Sequence, residues 1–183
     1  MKKKLLVLLS IIAVILCFCS CKKEEKKIYA GSVMVYTTFD ENTIKTIKND
    51  FESLYSGVVL DYFYGDIDAI VEKVNMSFML EIPEADIILI DSEKALQDLK
   101  NNSYLSSYVS KEDNKIKDEY KSSKNGAYTA VVDGNNNQYY VAVVSNGLNI
   151  ENGNLFIDYI LSKNAQEMLT PLGFKTVRDD IKE

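Results

Sequence analysis

The sequence contains no histidine. This absence excludes Ser-His-Asp and Cys-His catalytic arrangements, zinc sites built on histidine, and the side chain that most often acts as a general base near pH 7. No other constellation of residues indicates catalysis, although aspartate and glutamate are plentiful. We therefore expect a protein that is not an enzyme and that carries no cofactor.

Positive charge is also scarce. The formal net charge is −6 at pH 7, and Lys2, Lys3 and Lys4 lie ahead of an apolar run that is expected to be removed. Without these three lysines the remaining chain carries a charge of −9. Because proteins that bind nucleic acid need clustered lysine and arginine to neutralise phosphates, this balance argues against a nucleic-acid partner.

The apolar run covers residues 5–18 and is interrupted only by Ser10. It is shorter than the roughly 20 residues that a membrane-spanning helix needs, and the preceding lysines form a positive flank. These features predict a signal peptide over residues 1–20, with an unprocessed membrane anchor as the alternative.

The run ends at Phe18-Cys19-Ser20-Cys21. This segment resembles a bacterial lipobox, in which a small residue precedes the cysteine that receives the lipid. Phe18 stands where the pattern prefers leucine, and Cys19 is a poorer candidate because Phe18 directly precedes it. The resemblance implies an exported protein, lipid-anchored through Cys21 on the periplasmic or cell-surface side of a bacterial membrane. Residues 21–27 then form a charged tether.

Beyond the tether, residues 28–183 alternate between strand and helix patterns, with no internal repeat and no linker rich in proline or glycine. One domain is the simplest organisation. The first half predicts strands over 31–38, 58–64 and 85–90 and helices over 40–55, 67–80 and 92–99. The second half predicts strands over 128–132 and 138–144, a turn over 133–137, helices over 154–161 and 162–169, and a closing segment over 173–178.

Several short motifs are placed along this pattern. They are Thr37-Thr38-Phe39-Asp40, Ala85-Asp86-Ile87-Ile88-Leu89, Ser103-Tyr104-Leu105, the segment 155–162, Ala165-Gln166, Gly173-Phe174 and Val177-Arg178. In their order and spacing they resemble bacterial extracellular solute-binding proteins that serve ABC importers of iron, polyamines and phosphonates. The resemblance implies a small-molecule or ion ligand and a transporter permease as partners.

The sequence departs from that family in the middle. There the family builds a second lobe, whereas here a short turn at 133–137 joins two strands. The expected fold class is therefore α/β, a periplasmic-binding-protein-like (type II) single lobe with a mostly parallel sheet flanked by helices and with C-terminal helices. We therefore do not expect such a chain to capture a ligand by closure of two lobes.

In open α/β sheets, ligands bind beyond the carboxyl ends of the strands, next to helix N-termini. Eight residues follow the first three strands at that edge and are the predicted ligand-binding residues: Thr37, Thr38, Phe39, Tyr64, Gly65, Asp66, Asp91 and Ser92. The alternative is that some only cap helices. Thr38 with Glu41 fits a capping box, and Asp66 and Asp91 are suitable N-caps.

Tyr139-Tyr140 resembles the tyrosine pair with which some iron-binding members of the family hold the metal. In the family that pair comes from the second lobe, and adjacent residues of a strand point to opposite faces. We therefore interpret the pair as strand residues and predict no metal site. The acidic balance favours a cationic ligand and the helix N-termini favour an anion, so the sequence does not identify the solute.

Two functions follow from these observations. The first is a membrane-anchored, reduced solute-binding lipoprotein that captures a small solute such as iron, a polyamine or a phosphonate. The second is a surface lipoprotein that uses the retained lobe to bind a protein or to form a homodimer. An apolar patch where the second lobe would dock would favour the second function.

Overall fold

The computed structural model describes residues 29–121, 126–134 and 137–182. The predicted signal peptide, Cys21 and the tether lie outside the described residues. Within the described residues, none of the helices has the length and apolar character needed to cross a membrane.

The described part of the chain contains seven strands and five α-helices. The strands are β1 (Gly31–Thr37), β2 (Val58–Tyr64), β3 (Ile87–Ile90), β4 (Leu105–Ser106), β5 (Thr129–Asp133), β6 (Gln138–Val144) and β7 (Lys175–Thr176). The helices are α1 (Glu41–Leu54), α2 (Ile67–Met79), α3 (Glu93–Asn101), α4 (Ile150–Ile160) and α5 (Lys163–Leu169).

All seven strands form one sheet with the order β2-β1-β3-β6-β5-β7, and β4 pairs with β6 beside this path. The β1 strand pairs parallel with β2 and β3, whereas β6 pairs antiparallel with β3, β4 and β5. Because β7 is antiparallel to β5, only β6 and β7 run against the other five strands. Five of the seven strands therefore run in one direction, but only two of the six strand pairings are parallel, because the reversed strand β6 lies at the centre of the sheet.

Helices cover both faces of the sheet, as the alternating strand and helix pattern requires. The first face packs against α1, α4 and α5, with Phe51, Phe156 and Tyr159 among its fully buried side chains. The second face packs against α2 and α3 through residues such as Ile70 and Leu96. Every residue of β3 is buried, which explains its uninterrupted apolar sequence.

The α/β single-lobe fold class is confirmed, and the differences from the sequence predictions are local. The α4 helix begins at Ile150, about one turn before the predicted residue 154. The two-residue strands β4 and β7 were not predicted, because strands of that length carry no periodic pattern. Leu54 lies at helical spacing from the buried Ile47 and Phe51, but it is half exposed because it ends the helix.

Three buried polar side chains connect elements that are distant in sequence, namely Asp86, Gln166 and Arg178. Gln166 donates to the carbonyl oxygens of Val131 and Ile160 at 2.8 and 2.9 Å, and its own oxygen accepts from Thr176 and Val177. These bonds join α5 to β5, β7 and the end of α4. A buried amide with its donors and acceptor so occupied fixes the mutual position of these elements.

Candidate functional site

One edge of the sheet, which we call the rim, is formed where β1, β2, β3 and β5 end and β6 begins. The helices α1, α2 and α3 all start there, because each follows one of the first three strands. Gly134 after β5 and Asn137 before β6 lie at the same edge, where the amide of Gly134 donates to the carbonyl oxygen of Asn137 at 2.8 Å; residues 135–136 lie outside the described part of the chain. The rim therefore combines strand ends with helix N-termini, as expected for a ligand site in an α/β sheet.

Hydrogen bonds join three strands at the centre of the rim. The amide of Thr38 donates to the carbonyl oxygen of Leu89 at 3.2 Å, and the Thr38 hydroxyl oxygen accepts from the amide of Asp91 at 3.1 Å. The Asp91 carboxylate accepts from the side-chain amide of Asn137 at 2.8 Å. Asp91, which is partly exposed, is thus held between β3 and the start of β6.

An aromatic group lies beneath this network. The ring of Phe39, which is buried, stacks on Tyr139 with centroids 4.2 Å apart and contacts Phe174 edge-on at 5.1 Å. The Thr37 side chain is also buried, and its hydroxyl oxygen accepts from the amide of Phe39. Two of the predicted ligand residues, Thr37 and Phe39, therefore build the floor of the rim, whereas Thr38 and Asp91 lie at its surface.

The remaining predicted residues lie further along the rim. Tyr64 and Asp66 are exposed, and the amide of Gly65 donates to the carbonyl oxygen of Thr37 at 3.1 Å. The Tyr64 hydroxyl is 3.5 Å from a carboxylate oxygen of Glu41. The structure thus brings all eight predicted residues to one edge. Thr37 and Phe39 are buried beneath this edge, and the other six are partly or fully exposed.

The helix caps differ in part from those expected. The α1 helix is capped by Asp40, whose carboxylate accepts from the amides of Asn42 and Thr43, so the predicted capping box of Thr38 with Glu41 does not form. The α3 helix is capped by Ser92 rather than Asp91. Asp66 caps α2 as predicted, accepting from the amide of Ala69 at 2.8 Å. Thr38 and Asp91 are therefore available for the rim network because neighbouring residues perform the capping.

Replacing Asp40 with alanine is expected to lower the free energy of unfolding by about 1 kcal/mol at pH 7, because the N-cap is lost. The hydrogen bond from the Thr43 hydroxyl, above all, lowers the pKa of Asp40 from its ordinary value of 3.8. A carboxylate with a lowered pKa stabilises the fold above its unfolded pKa and loses that contribution as the pH falls through its folded pKa.

The difference between wild type and Asp40→Ala should therefore shrink below about pH 3.8, as urea unfolding curves at several pH values would show. The matched control is Asp40→Asn, because asparagine caps a helix without a charge. Its stability relative to Asp40→Ala should not fall at low pH. An alanine variant that equals wild type at pH 7 would contradict this role.

Tyr139 and Tyr140 point to opposite faces of β6, as the interpretation of the pair as strand residues predicted. Tyr139 packs on the first face, and the Tyr140 hydroxyl donates to Gln138 at 2.5 Å on the second. Burial raises the pKa of Tyr139, and the nearby charges of Asp91 and Asp40 raise it further. Among the residues that the structure describes, no three acidic or cysteine side chains form a cluster that could hold a metal ion.

Sequence reasoning did not assign two residues to this site, Asn137 and Phe174. Asn137 belongs to the polar turn whose composition indicated only a chain reversal. Phe174 follows Gly173, which has a φ of 94° after the last helical turn. Asn137 contacts Asp91, and Phe174 contacts Phe39. Each contact joins residues more than 40 positions apart, so no local sequence pattern predicts it.

The sequence matches no protein-family model and no curated protein. Solved structures do match. The chain superposes on iron-bound HitA from Pseudomonas aeruginosa with a TM-score of 0.72 and 8% identity, covering 83% of this chain and 88% of that one. For AfuA from Actinobacillus pleuropneumoniae with bound fructose-6-phosphate, the TM-score is 0.74 at 11% identity, with coverage of 85% and 88%.

A substrate-binding protein of an ABC transporter from Agrobacterium tumefaciens gives a TM-score of 0.74 at 8% identity, covering 90% of this chain and 83% of that chain. At such low identity the agreement defines the fold alone. The chain has the α/β fold of periplasmic binding proteins, with the rim at the edge where the predicted residues converge.

Proposed function

We propose that this protein is a solute-binding lipoprotein of an ABC importer, reduced to one lobe, which captures a small solute at the rim without catalysis. The rim carries this proposal, because it joins partly exposed polar groups of β1, β3 and the β5–β6 turn above an aromatic floor. The fold likeness to periplasmic binding proteins supports it.

We further propose that the chain is exported and acylated at Cys21, with a transporter permease as its partner. The lipobox resemblance and the fold likeness to a periplasmic binding protein and to a substrate-binding protein of an ABC transporter support this location. The β5 and β6 strands are antiparallel neighbours that pair from Asp133 and Gln138 onwards. In this proposal their short connection replaces the passage to a second lobe.

The charges of the rim favour a cationic solute. The Asp91 carboxylate is bonded to the side-chain amide of Asn137 rather than to a lysine or arginine, and Asp66 is exposed two strands away at the same edge. The carboxylates of Asp40 and Asp66 already cap α1 and α2, so they offset the positive ends of those helices. An organic cation of the polyamine type fits carboxylates next to exposed aromatic groups such as Tyr64 better than a phosphonate does.

The test is a thermal-shift screen of the full-length protein in detergent with spermidine, ferric citrate, a phosphonate, inorganic phosphate and fructose-6-phosphate. A ligand present at a hundred times its dissociation constant stabilises the folded state by about 2.7 kcal/mol. We expect spermidine to raise the melting temperature and the anions to leave it unchanged.

Asp91→Asn should weaken spermidine binding by at least about tenfold, since it removes a charge and keeps the shape and the acceptor for Asn137. Asp98→Asn is the matched control, because Asp98 is an exposed carboxylate in the last turn of α3, away from the rim. Equal affinity in both variants would place the ligand elsewhere. A shift caused by the anions alone would overturn the cationic assignment.

The alternative is a lipoprotein that binds a protein or a second copy of itself through its rim. This alternative requires large apolar side chains exposed at the rim. The two most exposed large apolar side chains in the described residues, Met79 and Leu148, lie at the opposite edge of the sheet. We therefore place solute binding first. A screen without any hit, combined with a dimer in solution that Tyr64→Asp dissociates, would favour the alternative.

A further inference from the structure

The edge of the sheet opposite the rim, which we call the base, is where the described chain begins. The amide of Gly31 donates to the carbonyl oxygen of Gly57 at 3.0 Å, and the Asn152 side chain donates to the carbonyl oxygens of Ala30 and Ser32. A β-carbon on Gly57 would collide with the carbonyl oxygen of Tyr29, so a glycine allows this close approach. The start of the domain is therefore fixed at the base.

Large apolar side chains are exposed at the same edge. The α2 helix runs from the rim to the base and ends at Met79, which is 77% exposed, and Leu80 and Ile82 follow it at 58% and 55%. Leu148, in the turn after β6, is 75% exposed. We call these four residues the base patch.

Hydrogen bonds hold the two parts of the base patch together. The side-chain amide of Asn146 donates to the Ser77 hydroxyl at 3.2 Å, and the amide of Ile82 donates to the Ser77 carbonyl oxygen at 3.0 Å. The amide of Asn149 donates to Asp86 at 2.7 Å. The turn that carries Leu148 is thus tied to the end of α2, so the four side chains are held at one edge of the fold.

We propose that the base patch lies in the lipid headgroup region of the membrane that carries the anchor. This inference rests on the proposed acylation of Cys21. Eight residues lead from Cys21 to Tyr29, and they reach at most about 28 Å when fully extended. The tether therefore enters the domain at the edge that bears the patch and keeps that patch near the bilayer at high effective concentration.

The chemistry of the patch fits a lipid interface. Apolar side chains that enter the headgroup boundary add to the weak binding that one acyl chain provides. The exposed Glu81 lies between Leu80 and Ile82, whereas Glu84 is paired with Lys73 at 3.0 Å, so zwitterionic lipid is a better match than anionic lipid. Contact at the base would turn the rim toward the surroundings during solute capture, and delivery to a permease would require release of this contact.

The protein contains no tryptophan, so a single introduced tryptophan reports its own position. The test compares Leu148→Trp with Leu172→Trp in the full-length acylated protein bound to phosphatidylcholine vesicles, with and without brominated acyl chains. Leu172 is the control because it lies two residues before Phe174, whose ring packs on Phe39 at the rim.

We expect brominated lipid to reduce the emission of Leu148→Trp about twofold, as insertion into the interface requires, and to leave Leu172→Trp unchanged. Met79→Trp should behave like Leu148→Trp, so the test still gives a result if one of the two variants fails to fold. Equal emission with both lipids would overturn the inference. So would emission that is shielded from water but not quenched, which would indicate a second copy or a protein at the base.

Metabolic labelling with a radioactive fatty acid separates this inference from the proposal on which it rests. No label on wild type, or equal label on wild type and Cys21→Ser, would overturn the anchoring and the base contact together. Label that depends on Cys21, with Leu148→Trp unquenched, would overturn the base contact alone and leave the proposed function standing.

Discussion

Replacing Arg178 with alanine is expected to lower the free energy of unfolding by about 3 kcal/mol. The guanidinium group is buried and donates to the Leu161 carbonyl oxygen at 2.7 Å and to Glu112 at 2.8 Å. Its Nε and Nη2 atoms also donate to the two carboxylate oxygens of Asp180 at 2.8 and 2.9 Å. Its removal leaves a carbonyl group and two carboxylates without their donor. The carboxylates are partly exposed and regain water, so we expect the low end of the range for a broken buried pair.

The measurement is urea unfolding followed by circular dichroism. Arg178→Lys should recover part of the loss, because lysine keeps the charge but cannot form the two-bonded contact with Asp180. Lys175→Ala is the control, since Lys175 is an exposed cation three residues earlier, and we expect a change within about 0.5 kcal/mol. If Arg178→Ala lost no more than Lys175→Ala, the guanidinium group would not hold the C-terminal segment in place.

Replacing Asp86 with alanine is expected to lower the free energy of unfolding by about 3 to 4 kcal/mol, because two backbone amide groups lose their buried acceptor. The carboxylate, which is 2% exposed, accepts from the amide of Met34 at 2.9 Å and from the amide of Asn149 at 2.7 Å. The first bond closes β1 onto the start of β3, and the second holds the residue that precedes α4. One side chain therefore connects the beginning of the sheet to the C-terminal helices.

Asp86→Asn tests whether the second acceptor oxygen matters. Asparagine offers one carbonyl oxygen and turns a donor toward the other amide, so we expect an intermediate loss of about 2 kcal/mol. Asp61→Ala, at an exposed position of the edge strand β2, is the matched control and should change stability little. An Asp86→Ala variant as stable as Asp61→Ala would show that Met34 and Asn149 find other acceptors.

Much of the fold could be predicted because its elements obey simple periodicities. Ile44, Ile47 and Phe51 recur at helical spacing and are all buried under the first face. The motif residues Asp86, Gln166 and Arg178 carried a family resemblance in the sequence, and in the structure each is a buried polar group that joins distant elements. Their bonding partners could not be predicted, because those partners are set by tertiary packing and not by neighbours in the chain.

The positions of the rim residues could likewise be predicted from the sequence, whereas their bonding partners could not. Strand ends and helix starts predicted these residues at one edge, but two of the three predicted caps lie one or two residues away from the observed ones. Thr38 and Asp40 are both suitable caps, as are Asp91 and Ser92. The choice is decided by the bond between the Asp91 amide and the Thr38 hydroxyl, which links two strands 53 residues apart. Local sequence cannot contain that information.

The reversed strand β6 has a consequence for the order in which the molecule assembles. It pairs with β3, β4 and β5, yet its residues are made only after three quarters of the chain. Until Val144 has been synthesised, β3 presents an unpaired and wholly apolar edge. Unpaired strand edges of this kind pair with other chains, so the nascent protein needs protection from aggregation until β6 pairs with β3. Truncation before Gln138 should therefore yield insoluble protein.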